Sequence, residues 1–268
     1  MFSKEKFVKK KFLDGKQVVF EVIDGLRARK KTLVLFSVWC LLSIIWCVVE
    51  LKKRYDFYHA KLSVADVLVL LQHPGRLGMF IFPFAMLIVL KCKPKKIDMQ
   101  ILLRYGSKRK FLARQMKESI LYAILLAVSV TGMGIAVSCC LGLPLINWNS
   151  IDSIFFSEAK FLVEEHFVTV AVVIFVMDVL KFLMDFLIMD LLLWNQRFMP
   201  ILWVVVIVEA GIESIGENVR VFHSLFSVQY ELWGIWWTHG LIIVLGIVIC
   251  IALHLLGIWS VRKKDIFG

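Results

Sequence analysis

The chain alternates long apolar blocks with short polar segments, and the blocks have the length that a lipid bilayer demands. Thr32–Val49 reads TLVLFSVWCLLSIIWCVV and Leu241–Trp259 reads LIIVLGIVICIALHLLGIW. Each is close to the ~20 residues that cross a hydrocarbon layer ~30 Å thick. Such blocks form helices, because an isolated strand in hydrocarbon leaves its backbone N–H and C=O groups unpaired. The pattern predicts an all-α integral membrane fold with six spans, at about 33–50, 74–90, 119–145, 167–194, 200–212 and 236–259. The second span is short. Only Leu77–Leu90 lies between Arg76 and Lys91, about 21 Å of helix at the usual rise. Val64–Leu71 is therefore either an interfacial helix or the first half of a span broken at His73-Pro74-Gly75. Pro74, Pro94, Pro144 and Pro200 all fall near predicted span ends, as do Trp148, Trp194, Trp233, Trp236, Trp237 and Trp259, where an aromatic belt would place them.

Composition sharpens this picture. Of 268 residues 60% are hydrophobic, with a mean hydropathy of +0.79, against nearer one half in a soluble domain. The net charge of +11 would suit a nucleic-acid binder, but the positive residues sit in tails and one loop between apolar blocks, which reads as topology. With both termini in the cytoplasm, inner segments hold 24 Lys and Arg and outer segments hold seven, the bias expected of a multi-pass protein. The first outer loop is the exception, with Lys52, Lys53, Arg54, Lys61 and Arg76 on the outer side. Residues 1–31 read as a basic cytoplasmic N-terminus, whose stretch Gln17–Lys31 is expected to form an interfacial amphipathic helix on anionic lipid. Residues 32–268 read as a single transmembrane domain. No cleavable signal peptide is expected, since thirty residues of basic sequence precede the first apolar run. The six cysteines form no CxxC and read as buried thiols.

One polar stretch carries more than topology. Lys91–Glu118 holds ten Lys or Arg, and within it a short apolar helix, Ile101-Leu102-Leu103-Arg104-Tyr105, meets a Gly106-Ser107 break before a basic run enters the third span. Gly106 is suited to end the first helix and Ser107 to cap the second. The run LLRYGSKRKFLARQMKE and the ending WSVRKKDIFG, with six spans and an amphipathic entry helix, resemble the permease subunits of ABC type-2 exporters. The resemblance covers the chain in layout. It implies a cytoplasmic coupling helix between spans two and three, in which Leu102, Leu103, Arg104, Tyr105, Gly106 and Ser107 contact a separate ABC ATPase subunit. It also implies a second permease copy or paralogue and a bacterial plasma membrane. The short second span and basic first outer loop depart from the family pattern. No G-x-x-x-x-G-K-[ST] occurs, so ATP and Mg belong to the partner, no cofactor is expected on this chain, and no catalytic activity of its own is expected.

Charges inside spans supply the remaining candidates. Asp178, Lys181 and Asp185 share one face of span four at spacings of three and four, with Asp190 beyond. Charge at membrane depth is costly and faces protein or water, so these residues are a polar lining of a translocation route, a subunit interface, or a neutralised ion-pair stripe. Glu209, Glu213 and Glu217 repeat every four residues out of span five. They suit either a solvated outer helix or an acidic guide for a cationic substrate. The six histidines are scattered and read as core or interface residues, and no metal site is expected. The expected function is export of a hydrophobic or amphipathic substrate, a peptide, bacteriocin or toxin first and a lipid or drug second, by alternating access. A membrane-embedded enzyme and an accessory membrane scaffold are the alternatives. Lipids and protein subunits are the expected partners, and nucleic acid is not.

Overall fold

A computed structural model describes residues 18–58, 60–93, 108–193, 208, 211–212, 226–235 and 237–263. Among them the structure is all-helical, with one isolated bridge between Lys61 and Ser153. Among the described residues five helices are long and apolar enough to cross a membrane: Lys30–Lys53, Pro74–Cys92, Lys110–Cys140, Phe167–Leu192 and Thr238–Trp259. The sixth expected span, 200–212, falls almost wholly outside the described residues.

A short helix at residues 18–27 (α1) turns through 28–29 into α2, Lys30–Tyr58. Among the described side chains of α2 one stripe is buried: Phe36, Cys40, Ile44, Cys47 and Leu51, spaced by four, four, three and four. That spacing tracks a single face of a 3.6-residue helix. The other faces are apolar too, with Val34, Leu35, Val38, Leu41, Leu42, Ile45, Trp46 and Val49 exposed. Helix α8, Thr238–Lys263, shows the same all-round apolarity, with Leu241, Val244, Val248, Ile251 and Leu255 exposed. A helix apolar on every side needs a hydrocarbon surrounding.

The centre of the bundle is α7, Phe167–Leu193, packed against α5, Lys108–Cys140, on one side and α8 on the other. Helix α5 starts eleven residues before the predicted third span and stops at Cys140 rather than continuing to Leu145. Gly142 explains the stop. It takes φ +73, and its N–H and that of Leu143 return to the carbonyls of Cys139 and Ser138, closing the helix in a left-handed turn that glycine adopts without a Cβ clash.

The short second span is resolved by α3, Val64–Leu71. Ser63 and Asp66 form a reciprocal capping box at its start, and the next two N–H groups, of Val64 and Ala65, donate to the carbonyls of Pro144 and Leu145. All of α3 except Leu70 is buried, among α2, α5 and α7. Gln72 and His73 then lead into α4, Pro74–Cys92. The break between α3 and α4 is local chemistry, because Pro74 stands at the N-terminus of the new helix and has no N–H to continue the old one. The same logic widens α4 over Leu77–Ile81 into a π-turn, in which Phe82 N–H bonds the Leu77 carbonyl just before Pro83. Val64–Leu71 is thus a buried segment joined to the second span across a break, and not an interfacial helix.

Residues 18–27, 92–93 and 108–119 gather at one end of the bundle, here called proximal. The loops after α2 and α5 gather at the other, distal end. There α6, Ile154–Ala159, starts on the Ser153 hydroxyl and ends at Lys160 in the left-handed region. Trp148 stacks on Phe155 at 4.6 Å and meets Trp233 and Tyr230 edge-on. Trp148 and Trp233 are therefore core residues of a distal cap and do not join the aromatic belt, whereas Trp237 and Trp259 are exposed near helix ends.

Gly134 lets α3 approach α5 closely. A Cβ there would lie 2.9 Å from Leu68 Cδ2 and 3.2 Å from Leu71 Cδ1, whereas one at Gly132 meets nothing within 4 Å. Small residues at contacts of this kind let membrane helices meet backbone to backbone. Gly134→Val should lower stability in detergent by about 1–3 kcal/mol through overpacking, and Gly132→Ala should raise it slightly. Thermal unfolding of the two variants beside the parent checks the contrast, and equal effects would contradict this packing.

Candidate functional site

Helix α7 buries four charged side chains along its length: Asp178, Lys181, Asp185 and Asp190. The structure brings the first three together on one inward face, as the spacing predicts, and each is almost without solvent exposure. A charge in such a place must be answered by hydrogen bonds or an opposite charge. Gln72, at the break between α3 and α4, supplies the link. Its Nε2 donates to Asp178 Oδ1 at 2.6 Å, and its Oε1 accepts from Lys181 Nζ at 2.8 Å. Thr131 Oγ1 on α5 donates to Asp178 Oδ2 at 3.2 Å. Ser227 Oγ accepts from Lys181 Nζ at 3.2 Å and donates to the Gln72 carbonyl at 2.8 Å. That last bond satisfies a backbone group where the break leaves helical pairing incomplete. One amide side chain therefore ties α3, α4 and α7 together near the middle of the α7 span.

A second polar layer lies nearer the proximal end. Lys93 Nζ, at the C-terminus of α4, donates to Asp190 Oδ1 at 2.5 Å and to Ser119 Oγ at 2.7 Å, and Ser119 Oγ donates to Asp190 Oδ2 at 2.7 Å. Ser119 precedes Thr131 by as many residues as Asp190 follows Asp178. The two layers are thus matched positions on antiparallel helices, about 18 Å apart along the axis. Beside the lower layer, Arg114 bonds Glu118 at 3.2 Å and pairs with Glu21 of α1, joining the entry helix to the start of α5.

A third polar centre holds the distal cap. Asp66 Oδ2 accepts from the Ser63 backbone N–H at 2.8 Å and the Ser63 hydroxyl at 2.6 Å. Its Oδ1 accepts from Trp148 Nε1 at 3.0 Å and from the Tyr230 hydroxyl at 3.1 Å. Each oxygen thus faces one group that can only donate, the Ser63 N–H on one side and the indole N–H on the other.

The other sequence candidates stand differently. Leu102, Leu103, Arg104, Tyr105, Gly106 and Ser107 lie outside the described residues, as do Glu209, Glu213 and Glu217. Sequence reading missed Gln72, Thr131, Ser227, Lys93, Ser119 and Asp66 as members of a site. Two signals were present: the Ser63-x-x-Asp66 capping pattern before an apolar run, and a lone glutamine beside a proline in an otherwise apolar stretch. Among the described residues no group of three His, Cys, Asp or Glu side chains is arranged to hold a metal ion.

Apolar outer walls around a charged, hydrogen-bonded interior define a multi-pass α-helical membrane protein. No protein-family model, curated protein or solved structure matches the chain.

Two predictions follow from the geometry of these centres. Lys181→Met removes one partner of a buried charged set and should cost about 3–5 kcal/mol, with part of the loss recovered in the double variant Asp178→Asn, Lys181→Met. A double-mutant cycle on thermal stability in detergent reads the coupling, and strictly additive losses would contradict it. Asp66→Asn preserves shape, yet either amide orientation sets its NH2 against an obligate donor. It should destabilise the fold by about 1–3 kcal/mol. A melt equal to that of the parent would contradict the assigned bonds.

Proposed function

We propose that the chain is the transmembrane permease subunit of an ATP-driven exporter of the ABC type-2 kind. It works beside a second permease copy or paralogue and two separate ATPase subunits, with the proximal end in the cytoplasm of a bacterial cell. The observation that carries the reading is the Asp178–Gln72–Lys181 network at mid-span, placed on a break between two helices. Charged groups retained inside a membrane bundle, and helices interrupted at that depth, are features that transport pathways use. The charge asymmetry and the LLRYGSKRKFLARQMKE run add support for a cytoplasmic docking segment, with the ATPase contact assigned to Leu102–Ser107.

In this reading nucleotide closure of the motors moves the cationic segment after the second span, and the movement reaches α4 and α5 directly because they flank it in sequence. The Lys93–Ser119–Asp190 layer joins the described ends of both helices to α7, so a displacement at the proximal end shifts three helices together. The mid-span network then rearranges around Gln72, exposing polar groups to a route at the permease–permease interface. The cargo is hydrophobic or amphipathic, with peptides, bacteriocins or toxins the first class and lipids or drugs the second. The reading assigns Glu209 and Glu213 to the outer mouth, as an acidic guide for the cargo.

Affinity purification from the native host should bring down a Walker-type ATPase, and its absence would sink this reading. Arg104→Glu combined with Gly106→Pro should leave membrane insertion intact while reducing transport-coupled ATP hydrolysis at least tenfold. Unchanged coupling would remove Leu102–Ser107 as the docking segment.

A further inference from the structure

The exposed side of α2 is not smooth. Between α2 and α4 lies a groove of about 280 Å³ lined by Trp39, Leu42, Ser43, Trp46, Arg76 and Phe80. Its walls are almost wholly apolar. The π-turn shapes it, since Phe80 lies in that turn and its carbonyl accepts Trp39 Nε1 at 2.9 Å, fixing the indole as one wall. From Trp39 to Trp46 the groove follows α2 for about 10 Å.

At its distal mouth the chemistry changes. Arg76 is nearly buried, pairs with Glu50 and donates through Nη1 to the Leu70 carbonyl at 3.2 Å. Its Nε–H has no acceptor among the described residues. One turn past Glu50, on the same face of α2 as Trp39, Trp46 and Glu50, stands the exposed Lys53, with exposed Lys52 beside it. Among the described residues the mouth thus carries Arg76 and Lys53 against Glu50, a net positive charge, while Lys52 points to the far side of α2. Both cations belong to the basic first outer loop that runs against the charge bias of the rest of the chain.

We propose that this groove is a binding site for an anionic phospholipid of the bilayer, with one acyl chain between Trp39, Trp46 and Phe80 and the phosphate region against Arg76 and Lys53. A hydrocarbon chain fills an apolar cleft that opens to the bilayer side of the helix. An acceptor oxygen near Arg76 answers a donor that is costly to leave bare at that depth. Lys53 adds the attraction that a cationic side chain has for anionic head groups. The site gives the anomalous basic loop a role that topology does not. The inference rests on the membrane-spanning reading of α2 and α4 and is independent of any ATPase partner.

The test uses the full chain in phosphatidylcholine vesicles containing increasing fractions of phosphatidylglycerol brominated on its acyl chains. Tryptophan quenching should rise steeply and saturate at a low fraction of the anionic lipid, while brominated phosphatidylcholine quenches only in proportion to its abundance. The saturable part should vanish in Trp39→Phe, Trp46→Phe and in Ser43→Phe, which fills the groove. Lys53→Gln is an exposed change that leaves the fold intact and should weaken the apparent affinity about fivefold, whereas Lys52→Gln, on the far side of α2, should leave it unchanged. Equal quenching by both head groups, survival of the saturable part without Trp39 and Trp46, or indifference to Lys53→Gln would each overturn the proposal.

Discussion

A charged side chain buried in a membrane bundle has few ways to be satisfied, and this constraint organises the molecule around α7. Helix α7 carries Asp178, Lys181, Asp185 and Asp190 inward. Water does not stabilise them there, so other helices must present hydrogen-bonding groups at matching heights. Thr131 and Ser119 on α5 do so at two heights, Lys93 does so from the end of α4, and Gln72 does so from a position that exists only because α3 and α4 are not one continuous helix. An unbroken helix through residue 72 would leave that amide's backbone carbonyl in ordinary helical pairing. With Pro74 ending that option, the carbonyl turns to Ser227 and the side chain to both charges.

The three polar layers divide the labour. The distal centre at Asp66 fixes loops that would otherwise lie loosely on the bundle, using an acid whose every contact is a donor. The proximal layer at Asp190 locks the ends of α4 and α5 to α7, close to the segment that we assign to a motor contact. The middle layer is the one that spans a break, and so the one whose rearrangement needs no helix to unfold. Outside these layers the packing of the described residues is mostly apolar, with the Arg76–Glu50 pair as an exception, and α2 and α8 turn further apolar residues outward. These outer walls have the apolarity that acyl chains require, and the groove between α2 and α4 is the recess we assign to one such chain.

Much of the fold was legible because bilayer thickness imposes a length on helices that composition reveals directly. Blocks at 33–50, 167–194 and 236–259 match helices in the structure because nothing but apolar length decides them. Boundaries failed where local chemistry intervened: α5 ends at Cys140, closed by the turn at Gly142, instead of running to Leu145, and α3 is recruited into the bundle by the capping pair Ser63 and Asp66. The Asp178, Lys181 and Asp185 cluster was readable from a period of three to four on a single helix. Its partners were not, since Gln72, Thr131 and Ser227 are distant in sequence and individually ordinary. Trp148 misled for a related reason. Its position near a span end suggested the membrane interface, but the indole N–H is consumed by Asp66 and its ring is covered by Phe155.

The central claim is that the proximal end, with the cationic segment between α4 and α5, faces the cytoplasm, where a nucleotide-driven partner can reach it. Single cysteines at positions 105 and 61, in a chain whose six native cysteines are replaced by alanine, test this with a membrane-impermeant maleimide on intact and permeabilised cells. The account predicts that Lys61→Cys reacts in intact cells and that Tyr105→Cys reacts only after permeabilisation. Labelling of position 105 in intact cells would place the assigned lever on the wrong side of the membrane and contradict the account.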